Sequence, residues 1–90
     1  MFKTLGPNWV ESSDGYSVRI TGRLTLLYAE GDRQVDVEVE PGEGLAVYAG
    51  SIEGWNPPFE EDPLTASDRR RIVARIVDGL AHMGVKAVVD

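Results

Sequence analysis

Glu60, Glu61 and Asp62 stand in a row inside the stretch SIEGWNPPFEEDPLT, residues 51–65. Adjacent carboxylates raise one another's pKa, as catalytic pairs do, and they could also hold a cation. Neither chemistry is specified by the spacing. A metal site needs ligands converging from several segments, and nothing resembling a calcium-binding loop is present. Arg69, Arg70 and Arg71 follow immediately, and ion pairing with the acids upstream, or plain solvation, accounts for the run equally well. A second set of carboxylates, Asp36, Glu38 and Glu40, alternates with valines in VDVEVE. Cross-strand pairing with Arg19 or Arg23 would neutralise part of that ladder, and the remainder would form a negative surface suited to a basic partner. His82 is the only histidine. No serine or threonine is placed as a nucleophile, and no glycine-rich loop joins a strand to a helix, so neither an enzyme nor a cofactor or metal is expected.

Two aromatic residues share the acidic loop. Pro57 and Pro58 restrict Asn56 to extended geometry and stiffen the chain between Trp55 and Phe59. A rigid tryptophan can anchor a partner, because it buries a large area with little entropy lost. It can equally cap the open end of a small core, with Phe59 beside it, since tryptophans are largely buried on average. Both roles are open to Trp55 at the level of sequence.

The elements that position these residues follow from periodicity. Tyr16, Val18 and Ile20 alternate with Ser17, Arg19 and Thr21 and predict a strand over about 16–21. Further strands are expected over 23–29, 33–40 and 45–50, joined at Glu30-Gly31-Asp32 and Pro41-Gly42-Glu43-Gly44. Residues 51–65 read as a loop. Thr65 and Asp68 have capping-box spacing, and Ile72, Val73, Ile76, Val77, Leu80 and Met83 recur at 3.6-residue intervals, which predicts a helix over about 66–83, ended by Gly84. A short strand over 85–89 closes the chain. The expected fold is α+β: an antiparallel four-stranded meander plus a short C-terminal strand, with one amphipathic helix packed on one sheet face. Leu27, Ala29, Ala46 and Tyr48 then point to the other face, where Phe2, Leu5, Trp9 and Val10 are expected to fold across them. A second copy of the chain, as a homodimer, is the alternative cover.

The chain of 90 residues is long enough for one domain and too short to divide its core. Its formal net charge of −6 disfavours nucleic acid as a partner. Residues 1–64 hold twelve acids and four bases, whereas residues 65–90 hold three acids and five bases, so an acidic body precedes a mildly basic helix. Cysteine is absent, which removes disulfides and thiolate sites and fits a reducing compartment. The first fifteen residues lack the apolar run of a signal peptide, and no stretch approaches a membrane span; a cytoplasmic protein without membrane contact is expected.

The stretch YAGSIEGWNPPFEEDPLTASDRRRIVARIVDGLAHMG, Tyr48 to Gly84, resembles the small bacterial family of immunity protein 74. The shared pattern places Tyr48 in a strand, Ser51 and Ile52 before Trp55, Pro58 in an acidic loop, and Ile72 and Ile76 four apart in a helix. With the preceding hairpin, YAEGDRQVDVEVE, the resemblance covers about residues 16–84. It implies an antitoxin, made beside a secreted or contact-delivered toxin, that protects the producing cell by binding it. The expected function is therefore a non-enzymatic protein-binding domain that masks a basic toxin domain by steric and electrostatic blocking. Trp55, Phe59, Glu60, Glu61 and Asp62 are the expected contacts, followed by Asp36, Glu38 and Glu40. A homodimeric structural domain and a small-ligand binder are the alternatives.

Overall fold

The computed structural model describes residues 1–90. Seven strands form one sheet in sequence order: β1 (Phe2–Gly6), β2 (Trp9–Ser12), β3 (Tyr16–Ile20), β4 (Thr25–Glu30), β5 (Arg33–Gly42), β6 (Gly44–Val47) and β7 (Ala87–Val89). Every neighbouring pair is antiparallel except β6 and β7, which run parallel. The parallel pairing requires a crossover, which is supplied by the loop and by helix α1 (Ala66–His82).

This architecture corrects the expected four-stranded meander. Phe2, Leu5, Trp9 and Val10 do not cross a second sheet face; they belong to a hairpin that adds two strands in the same sheet. Asn8 turns that hairpin with φ 58°, a left-handed conformation asparagine tolerates. Phe2 and Val10 join the side facing the helix, while Trp9 points outward and carries the Arg19 guanidinium 4.5 Å from its ring centre. Ser12 is buried on the inner face; its hydroxyl accepts the Asp14 N–H at 3.0 Å, so a polar residue is accommodated there without an unpaired group.

The sheet curls around α1. In a flat sheet β2 and β7 would stand five strand spacings apart, about 24 Å at ordinary interstrand distances. One helix nevertheless touches β2, β3 and β7. The resulting trough holds the core: Val10, Tyr16, Val18, Leu26, Tyr28, Val35, Val37, Val39, Leu45 and Val47 from the strands, Ile72, Ile76 and Leu80 from the helix, and Ile52 and Trp55 from the loop.

Local chemistry fixes the helix ends. The Thr65 hydroxyl accepts the Asp68 N–H at 3.1 Å, and the Asp68 carboxylate accepts the Thr65 N–H at 2.9 Å, so aspartate completes a capping box. At the other end Gly84 adopts φ 81°, and Val85 N–H reaches back to the Leu80 carbonyl at 2.8 Å. Mid-helix, Gly79 is buried, and an added Cβ there would meet Val18 Cγ2 at 2.8 Å. The missing side chain is what lets α1 approach β2 and β3.

Gly79→Ala tests that approach. Helix propensity alone would stabilise alanine by about 1 kcal/mol. Overpacking against the stiff Val18 costs about 1–3 kcal/mol, and net destabilisation is expected in urea unfolding. A variant at least as stable as wild type would contradict the close-packing account.

Candidate functional site

The loop between β6 and α1 runs back along the exposed edge of β5. After a 3-10 turn at Ala49–Ser51, Ser51 Oγ accepts the Glu38 N–H at 2.9 Å and donates to the Tyr48 carbonyl at 2.7 Å. Asn56 then donates its backbone N–H to the Gln34 carbonyl at 2.7 Å and its side-chain amide to Asp36 at 3.1 Å. Finally Asp62 accepts Arg33 Nη2 at 2.6 Å. Successive loop residues therefore bond to β5 positions 38, 36, 34 and 33 in descending order, which lays the acidic loop antiparallel beside the acidic strand.

Two of the sequence-predicted residues are held beneath this surface. Trp55 is 6% exposed and belongs to the core, and Phe59 packs against that core with the Arg33 guanidinium 4.7 Å from its ring centre. The strand alternation turns Val35, Val37 and Val39 inward and Asp36, Glu38 and Glu40 outward. Glu60 and Glu61 are exposed, and Asp62 is half-buried against Arg33. Glu60 and Glu61 lie between Phe59 and Asp62, both of which contact Arg33 at the start of β5.

Charges divide unequally between the inside and the outside. Arg71 bonds Asp68 at 2.8 Å and both Glu30 carboxylate oxygens at 3.0 and 3.1 Å. Tyr28 donates to Glu30 at 2.8 Å and accepts from Arg75 at 3.2 Å, while Arg75 also lies over the Tyr16 ring. Arg69 donates Nε to the Ile52 carbonyl at 2.8 Å, fastening the helix to the loop. Asp62 is paired with β5, not with the helix arginines that follow it in sequence. Neither Glu60 nor Glu61 is within ion-pair distance of a base, and the same is true of Asp36, Glu38 and Glu40. Of the two expected strand partners, Arg19 lies over Trp9, and neither it nor Arg23 forms an ion pair. Glu40 accepts the Tyr48 hydroxyl at 2.5 Å, a neutral bond that leaves its charge in place.

Sequence reasoning did not find the inner cluster of Tyr28, Glu30, Arg71 and Arg75. Glu30 was readable only as a turn residue, although its position two after Tyr28 puts both on one strand face. Burial, opposed in part by the Arg75 hydrogen bond and reinforced by Glu30, pushes the Tyr28 hydroxyl up to about 12. Glu30, Arg33, Trp55, Asp62, Pro63, Asp68 and Arg71 line a surface hollow whose acids and bases are matched to one another. No group of three or more histidine, cysteine, aspartate or glutamate residues is placed to hold a metal ion. His82 is exposed at the helix end and stacks on Phe2 with 5.2 Å between ring centres.

One helix on a curled sheet, with a paired cluster of charges beside the helix and an anionic outer strand, defines a small α+β domain. Residues 10–90 match the model of the family described as immunity protein 74, and the chain belongs to that family. No curated protein and no solved structure matches it. Membership makes the protein a non-enzymatic, protein-binding domain of the immunity type. No helix is long and apolar enough to cross a membrane.

The inner cluster predicts a stability loss in strong alkali. Tyr28 ionises near 10.0 when unfolded and near 12 when folded, so between those values the unfolded chain binds fewer protons. Its contribution is complete below pH 10.0 and declines toward pH 12. Tyr28→Phe should cost about 1 kcal/mol at neutral pH and make the alkaline decline shallower. An unchanged slope in urea titrations would show that Tyr28 does not carry it.

Proposed function

We propose that the protein is an antitoxin that masks a basic domain of a cognate toxin in the cytoplasm of the cell that makes both. The contact surface is the outer ladder Asp36, Glu38 and Glu40 together with Glu60 and Glu61, bordered by Asp62 and Phe59 and supported from below by Trp55. One observation carries this reading: Arg33, Arg69, Arg71 and Arg75 are engaged within the fold, whereas these five acids are exposed and without an ion-pair partner. A partner that supplies lysines or arginines would gain attraction without first breaking internal pairs.

The mechanism is complementary charge followed by occlusion. A negative face steers a positive cleft during encounter and disfavours acidic competitors. The loop is tied to β5 by Ser51, Asn56 and Asp62, so little ordering of the backbone accompanies docking. Family membership supports the immunity role, and the charge distribution supports the electrostatic part of it.

The test is a triple substitution, Glu38→Lys, Glu60→Lys and Glu61→Lys, measured against the cognate toxin by titration calorimetry. Trp55 is left intact, because truncating a buried tryptophan costs about 3–5 kcal/mol and would confuse unfolding with lost contact. The variant should keep the wild-type circular dichroism and bind about tenfold or more weakly. Undiminished affinity in a folded variant would remove this surface from the interface.

A further inference from the structure

The free edge of β7 carries a sequence that is complementary to itself. Lys86-Ala87-Val88-Val89-Asp90, placed antiparallel to a second copy with Val88 opposite Val88, sets Lys86 against Asp90 and Ala87 against Val89, twice over. No other strand covers this edge, because β7 is the last in the sheet. Val88 and Val89 are 42% and 48% exposed, among the few large apolar residues left at the surface. A groove lined by Ala49, Val73, Ala74 and Val89 together with Arg69 and Arg70 opens beside the strand, between it and α1.

Backbone direction agrees with that register. The Leu45 N–H bonds to the Lys86 carbonyl at 2.8 Å, and the Asp90 N–H to the Val47 carbonyl at 2.9 Å. Residues 86, 88 and 90 thus turn toward β6, as a parallel ladder alternates, and Ala87 and Val89 turn their N–H and C=O groups to the open side. A twofold axis at Val88 puts Ala87 opposite Val89, which are the outward-facing residues, so both pairs can exchange two hydrogen bonds. Lys86, Val88 and Asp90 share the outer face with Ala46, since Val88 is paired with Ala46 and its alternation places the charged residues alongside it. In the paired state each Lys86 therefore meets the Asp90 of the second copy on one face. Lys86 has no ion-pair partner within the chain, and neither has Asp90.

We infer that the protein forms a twofold homodimer by antiparallel pairing of β7 with β7 of a second copy, in the register that opposes Lys86 to Asp90. The two sheets become one continuous sheet, and both helices lie on the same side of it. Val73, Ala74 and Val89 of the two copies then approach across the dyad, where the groove is covered. Exposed short edges are places where strand addition occurs, and an isologous contact closes after two copies without further growth. Glu40, at the end of the acidic ladder, lines one surface hollow with Lys86 and Val88, so the ladder runs up to the strand that pairs.

Equilibrium sedimentation of the full chain over a range of concentrations reads the state directly, with three variants. Val89→Pro removes one outward N–H while leaving the bonds to β6, and should shift the sample to monomer with an unchanged circular dichroism spectrum. Lys86→Asp places acid against acid and should weaken dimerisation about tenfold or more, and the double exchange Lys86→Asp with Asp90→Lys should restore it. Restoration would fix both the edge and the register, independently of whether Val89→Pro folds. A wild-type monomer at millimolar concentration would overturn the inference and leave the edge to a different partner. A dimer untouched by Lys86→Asp would overturn it as well, by locating the contact elsewhere.

Discussion

One helix of 17 residues has to close the inner face of seven strands, and the rest of the molecule follows from that constraint. A flat sheet would leave its outer strands bare. Curling brings β2 and β7 to the same helix, and Gly79 removes the side chain that would hold α1 away from Val10 and Val18. Where the helix still cannot reach, the loop supplies Ile52 and Trp55 as fully or largely buried plugs. At the seam between β6 and β7, Gly44 adopts φ 103° with the Lys86 carbonyl so near that a Cβ would lie 2.5 Å from it. The parallel return of β7 depends on that absent side chain too.

The same trough decides where charge goes. Arg71 and Arg75 lie half-buried on the helix flank nearest β4, where Glu30, Asp68 and the Tyr28 hydroxyl bond them. Arg33 is engaged by Asp62, which also anchors the end of the loop. With these bases occupied, a chain of net charge −6 presents the carboxylates of β5 and the loop tip outward. Structural satisfaction inside and chemical availability outside are two consequences of one distribution.

Much of this was legible in the sequence, and the reasons are physical. The strict alternation VDVEVE marks which carboxylates face out, and the 3.6-residue recurrence with Thr65 and Asp68 marks the helix and its start. The N-terminal hairpin was not legible, because only Phe2 and Val10 face the core while Trp9 points outward, and Ser12 is a polar residue turned inward. A half-buried strand with so few apolar inward residues has no clear period. Ion-pair partners were also misread when judged by proximity in sequence. Asp62 lies seven residues from Arg69 yet bonds Arg33, 29 residues away, because the loop reverses along β5. Trp55 had two readings in the sequence, and its burial resolves only that it belongs to the core, leaving the carboxylates around it as the chemistry that faces a partner.

The most direct measurement is the association rate constant with the cognate toxin as a function of ionic strength. Steering by an unpaired acidic face predicts a rate that falls steeply as salt rises, by about tenfold or more between low and high ionic strength, with a smaller change in dissociation. A complex that forms at the same rate in strong salt as in weak would contradict the account, and would assign recognition to apolar contact instead.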